Sequence, residues 1–126
     1  MSLVPAVWSD DAESDIAKVG DTEFYRHEVE VGFFGLWNVL IRGERFGTVV
    51  WRTDFEAGGK ALVILVAAGD HPVVDLASTV MPMIEDIARA LDCDLVRFHT
   101  KRPGLVVKMM DMGYEPVEFI QRRKVA

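Results

Sequence analysis

The sequence predicts one α/β domain of the α+β kind, a mixed central sheet with an antiparallel N-terminal meander and helices on both faces. Three observations carry this. The run ALVILVAA, from Ala61 toward Gly69, is apolar at every position, as a strand buried on both faces in the middle of a sheet must be. After it, Leu76, Val80, Met83 or Ile84, Ile87 and Leu91 recur at spacings of three and four, the mark of a helix with one apolar face. Alternation then returns in DLVRFH, Asp94 to His99, which reads as a further strand.

Each element has its own signals. Ser9 before DDAESDIAKVG supplies an N-cap and an acidic first turn, so a short helix ends at Gly20. EFYRHEVEV (Glu23 to Val31) alternates in places and suits a strand or a helix–strand junction. GLWNVLI (Gly35 to Ile41), the turn RGER (Arg42 to Arg45) and FGTVVWRT (Phe46 to Thr53) make a hairpin. DFEAGGK (Asp54 to Lys60) turns the chain into the central strand. The long helix is expected to start near Pro72, capped by Asp70, and to run to about Leu91. Pro82 removes one helical hydrogen bond and predicts a kink or break there. Residues 103–112 form a short helix opened by Pro103 and ended by Gly113, and Tyr114 to Lys124 close as a strand. The single domain spans 1–126, as an N-terminal helical segment (1–22), a meander (23–68) and a helix-strand-helix-strand half (69–126).

A chain of 126 residues, half of them hydrophobic, suffices for one continuous core. Its longest apolar run falls far short of the roughly 20 residues a bilayer crossing needs. No membrane partner and a cytoplasmic location are expected, in a bacterial host if the chain is phage-encoded. The lone Cys93 has no disulfide or zinc partner and is expected in the core. No metal is expected. The net charge of −6 is uneven: residues 1–96 hold seven basic against seventeen acidic side chains, and residues 97–126 hold seven against three. Arg97, Lys101, Arg102, Lys108, Arg122, Arg123 and Lys124 therefore offer an anion-binding face, the alternative being a solvated basic end.

Trp37, Trp51, Phe33, Phe34 and Phe46 lie on or beside the hairpin and are expected in the core rather than as a stacking or acceptor-binding surface. The Met-rich VVKMMDM (Val106 to Met112) is expected to pack, and Glu28 and Glu30 to be solvated. There is no Walker loop, no H-E-x-x-H, no CxxC and no G-x-S-x-G.

The layout, with LDCDLVRF and RFHTKRPGLVVKMMDMGYEPVEF, resembles the GCN5-related N-acetyltransferase (GNAT) superfamily over roughly residues 24–124, closest to its short phage and prophage members. The shared marks are Asp92-Cys93 before an apolar strand and Gly113-Tyr114 after the short helix. The resemblance implies an acyl-CoA N-acyltransferase fold and transfer from acetyl-CoA, or another acyl-CoA, to an amine acceptor. It assigns the end of the central strand, Val66, Ala67, Ala68 and Gly69, to the pantetheine arm. The family's pyrophosphate loop reads Q/R-x-x-G-x-G/A; here AAGDHPVVDLA has one glycine, Gly69, and the carboxylates Asp70 and Asp75. A self-capped helix is expected there instead of an anion site. Phosphate would then fall to Lys101 or Arg102. The family's proton-donating tyrosine, four residues before the glycine, is Met109 here, which carries no exchangeable proton. His99, Tyr114 and His71 remain as catalytic candidates. Two readings follow: an atypical N-acyltransferase, or a non-catalytic binding or structural protein on the same fold, such as a virion or phage accessory component. Exposed sheet edges are compatible with a homodimer.

Overall fold

A computed structural model describes residues 1–99 and 103–114, with the backbone alone at 103–106. The order is β1 (Ser2–Pro5), α1 (Asp10–Ala17), α2 (Thr22–Glu30), β2 (Gly35–Ile41), β3 (Glu44–Glu56), β4 (Gly59–Gly69), α3 (Leu76–Ala90), β5 (Leu95–Phe98) and α4 (Pro103–Asp111). The strands lie in the order β1-β2-β3-β4-β5, antiparallel up to β4, with β5 parallel to it. A right-handed crossover through α3 is the connection a parallel β4–β5 pair favours. The mixed sheet with an antiparallel meander is thus the architecture found.

Two apolar clusters place the helices. On one face Trp37, Val39, Val49, Leu62 and Ile64 pack under Val80, Met81, Ile84 and Ala88 of α3, joined by Met109 of α4. On the other, Leu36, Val50 and Val66 pack under Ala12 and Ile16 of α1, with Tyr25 and Val29 of α2 against them. A polar clamp ties α1 to the sheet: Arg45 donates to the Asp15 carboxylate at 2.6 Å and to Asn38 at 3.1 Å, and the buried Thr48 hydroxyl donates to Asp15 at 3.0 Å.

Several expectations are corrected. Strand β1 lies inside the segment read as helical and pairs with β2 from Ser2↔Leu40 to Pro5↔Trp37. The 23–31 segment is a helix: Asp21 accepts from the Phe24 amide, Arg26 bonds Glu30 one turn on, and Tyr25 and Val29 share the inward face. Its partial alternation is the accident of a short helix, which the i, i+4 pair Arg26–Glu30 supports. The first hairpin turns on two residues, Arg42 and Gly43, both at positive φ (52° and 78°), as a primed turn requires, and not on RGER. The long helix starts at Leu76, four residues later than Pro72, with Asp75 and not Asp70 at the cap position. It continues through Pro82 to Ala90. Pro82 is exposed, so the carbonyl it leaves unbonded on Ser78, also exposed, faces water. Phe33 is 74% exposed and Cys93 only half-buried, against the core positions expected of both. The strand expected over 114–124 lies outside the described residues beyond Tyr114.

Both helices of the second half end alike. Beyond α3, Asp92 takes a left-handed conformation (φ 58°), its amide donates to Arg89, and the Cys93 amide donates to Ala88 at 2.8 Å. Beyond α4, Gly113 (φ 93°) donates to Met110 and Tyr114 to Met109 at 3.0 Å. These are two Schellman caps, so Asp92-Cys93 and Gly113-Tyr114 do the same structural work with different residues. Asp92 holds a conformation that glycine adopts without the crowding a Cβ brings. Asp92→Gly is expected to raise stability by up to about 1 kcal/mol, read as a higher urea midpoint at unchanged slope; a lower midpoint would refute the cap.

Candidate ligand cleft between the diverging strands

The site begins with a change in how β4 is bonded. Its antiparallel ladder with β3 runs its whole length, from Glu56↔Gly59 to Gly47↔Gly69, while β5 pairs only with Ala61 to Ile64. Among the described residues the last bond on that side is from the His99 amide to the Ile64 carbonyl, 3.1 Å. Beyond Ile64 no described residue of the second half pairs with β4. A bulge at the same point pairs Trp51 with Ile64 and Val50 with Val66, leaving Leu65 unopposed. It shifts the alternation, so Ile64 belongs to the α3 face, Val66 to the α1 face and Ala67 again to the α3 face.

The bulge also decides where backbone groups point. The Asp70 amide donates to the Phe46 carbonyl at 3.1 Å, and Gly47 lies opposite Gly69. Bonded pairs alternate along an antiparallel ladder, so Ala68 and Val66 turn N–H and C=O toward β3. Ala67 and Gly69 turn theirs toward the edge that β5 has left. Among the described residues nothing bonds them there.

Beside that edge is a cavity of about 440 Å³, within the range of small-ligand sites. Ala67, Ala68 and Gly69 form its strand wall; Val39, Val49 and Phe98 add sheet surface; Leu76, Ala77, Val80, Met81 and Ile84 of α3 close one side, and Met109 of α4 another. Among the described residues three charged ones stand on the lining, Asp70, Asp75 and Lys108. Lys108 donates to the Asp75 carboxylate at 2.8 Å, and the Ser78 hydroxyl donates to it at 2.9 Å. The bond from Lys108, then that from Ser78, holds the Asp75 carboxyl below the usual carboxylate range. Asp75 stands at the N-cap of α3 without capping a backbone amide through its side chain. The self-capping expected here is therefore a salt bridge to α4.

The sequence candidates separate on this geometry. Ala67, Ala68 and Gly69 line the cavity, whereas the Val66 side chain is buried among α1 and α2 residues. A Cβ on Gly69 would come within 2.3 Å of the Phe46 carbonyl oxygen and 2.6 Å of the Gly47 Cα, so this glycine serves the close approach of two strands. His71 is off the lining: its Nδ1 accepts from the Val73 and Val74 amides at 3.1 and 2.9 Å, and its ring meets Phe46 edge-on. It shapes the loop into α3. His99 is exposed, its Nε2 accepting from Arg97 at 3.1 Å, and it too is off the lining. Arg97 is engaged with Glu56 and Asp54, so it and Lys108 are neutralised within the chain and do not form an open basic face. Lys101 and Arg102 lie outside the described residues, as do Arg122, Arg123 and Lys124. Among the described residues no cluster of three or more His, Cys, Asp or Glu is placed to hold a metal, and no helix is long and apolar enough to cross a membrane.

Met109, 5% exposed, lines the cavity. Tyr114 is the cap residue after Gly113 and packs against the α3-side core, away from the cavity. Its hydroxyl is buried without a hydrogen bond of ordinary geometry, and burial, with the nearby Glu85 carboxylate, pushes the phenol up to about 12. Packed into the core and off the cavity lining, this phenol is not placed to protonate a thiolate departing in the cleft.

No family model matches the chain, and no curated protein does. Solved structures do. A ribosomal-protein-alanine N-acetyltransferase from Brucella melitensis biovar Abortus superposes with a TM-score of 0.70 at 14% identity, covering all of both chains. An aminoglycoside 6'-N-acetyltransferase from Acinetobacter haemolyticus gives 0.69 at 12%, covering all of this chain and 99% of its own. An aminoglycoside N-acetyltransferase in complex with CoA gives 0.70 at 8%, over 99% of this chain and 95% of its own. At such identities the likeness is one of fold, and the fold is that of the GNAT acetyltransferases. None of the three is described as a phage protein; that finer likeness rests on the sequence.

Because Tyr114 is protonated in the folded chain to about pH 12 and ordinary tyrosine only to about 10, raising pH between these values charges the unfolded chain first and lowers stability. Tyr114→Phe should remove that part of the alkaline loss and, by deleting a buried hydroxyl without a bond, cost less than about 1 kcal/mol at neutral pH. Urea unfolding of both proteins across this range is the check; parallel pH profiles would contradict the burial of this phenol.

Proposed function

We propose that this protein is an atypical N-acyltransferase that takes an acyl thioester of the acyl-CoA type in the β4–β5 cleft and transfers the acyl group to an amine. The observation that carries this is the pair of backbone units at Ala67 and Gly69, which among the described residues have no strand partner on the side away from β3, on the wall of an apolar cavity. An extended pantetheine arm, which carries amide donors and acceptors, suits such an edge as an added strand would. The donor supplies an activated carbonyl. The chain's part is to hold that carbonyl among apolar walls and place an open-edge amide near the oxygen on which charge develops.

Proton handling is the weak point. With Met109 at the cavity and Tyr114 turned away, no described side chain gives a proton to the departing sulfur, so the thiolate leaves as the anion or is protonated by the ammonium formed on the acceptor. That is chemically feasible because thiolates are good leaving groups near neutral pH. The same absence favours the second reading, a binding protein that keeps the fold without turnover.

Two measurements separate these. A donor thioester at 100 times its dissociation constant should add about 2.7 kcal/mol of stability, seen as a raised melting temperature with acetyl-CoA or acetyl-pantetheine; no rise with either removes both cleft readings. Met109→Tyr should place a phenol at the cavity and, if transfer occurs, raise turnover on an amine about tenfold or more. Donor binding with no transfer by either protein would leave the non-catalytic reading.

A further inference from the structure

We infer that the mouth of the cleft is built to refuse a donor's phosphates, so that the cleft prefers an acyl-pantetheine thioester ending in a neutral group to one ending in a nucleotide pyrophosphate. This rests on the cleft reading above and names its ligand class. Asp70 and Asp75 both stand on the cavity lining where β4 passes into α3, and Lys108 is the one cation on it among the described residues. That cation is already matched: its ammonium lies 2.8 Å from Asp75, which also accepts from Ser78 at 2.9 Å. Among the described residues no side chain bonds the Asp70 carboxylate. The three groups therefore carry a net charge of −1 before any ligand arrives.

A pyrophosphate would add at least two negative charges beside these carboxylates. Each like-charge pair about 5 Å apart weakens binding roughly fourfold even at the dielectric of water. Freeing Lys108 for the ligand does not help, since it leaves Asp75 ionised and unpaired next to the same phosphates. Gly69 is the one glycine between Val66 and Leu76, so no glycine pair brings further amides forward to compensate. The apolar interior and the open β4 edge are unaffected by any of this, so the pantetheine portion keeps its full set of contacts.

The test is titration calorimetry of the full chain with acetyl-CoA and with acetyl-pantetheine at one fixed ionic strength. The native protein should bind acetyl-pantetheine at least as tightly as acetyl-CoA. The double variant Asp70→Asn, Asp75→Asn, isosteric and with asparagine still suited to the cap position, should bind acetyl-CoA at least tenfold tighter than the native protein does, with acetyl-pantetheine changed less than twofold. Lys108→Met should shift acetyl-CoA the other way and leave acetyl-pantetheine alone. Native protein that held acetyl-CoA tenfold tighter than acetyl-pantetheine, or a double variant with unchanged acetyl-CoA affinity, would overturn the inference while leaving the cleft reading intact. Failure of both ligands to bind any of the proteins would overturn both together.

Discussion

The site follows from how strand β4 is bonded on its two sides. Among the described residues its pairing with β3 continues to Gly69, whereas its pairing with β5 covers only Ala61 to Ile64, where a bulge interrupts the alternation. Backbone groups in a folded interior seek partners, so a strand edge left open beside an apolar cavity is a place where a ligand can supply the missing bonds. The same bulge moves Ala67 to the α3 face and so makes the cavity wall of small residues. Placing a larger side chain there would fill the space.

The charges around this opening are answered mainly from within the chain. Asp75 is bonded to Lys108 and Ser78, Arg97 to Glu56 and Asp54, and Arg45 to Asp15 and Asn38. Such pairing has a double effect. It fixes α4 against the start of α3 and α1 against β3, and it withdraws Arg97 and Lys108, two residues that in the sequence looked open to an anionic partner. Charge counts along a chain cannot show this, because the partners lie up to 41 positions apart, as Arg97 and Glu56 do.

Much of the fold was legible because its signals are local. A fully apolar run, a three-and-four spacing and a glycine after a helix each report the environment of neighbouring residues. The misreadings have local causes too. Glu23 to Val31 is too short for its period to be distinct, and the cap of α3 was placed at the first carboxylate, Asp70, although the loop shaped by His71 delays the helix to Leu76. For the site, the substitution of Met109 and the scarcity of glycine were visible at once. The inward turn of Ala67, the outward placement of His71 and His99, and the closure of Lys108 onto Asp75 were not.

The sequence by itself determined the order of the elements from β2 to α4, the interior position of β4, the two helix ends at Asp92 and Gly113, and the lack of an exchangeable proton at Met109. These follow from side-chain chemistry and from spacing within one or two turns. Only the tertiary structure decided that β5 pairs with Ala61 to Ile64 of β4, that Gly69 serves Gly47, and that Asp75 meets Lys108 at the rim of a cavity. The physical reason is that strand pairing, close approach of backbones and ion pairing between helices are set by residues distant in the chain, whose mutual positions no local pattern encodes.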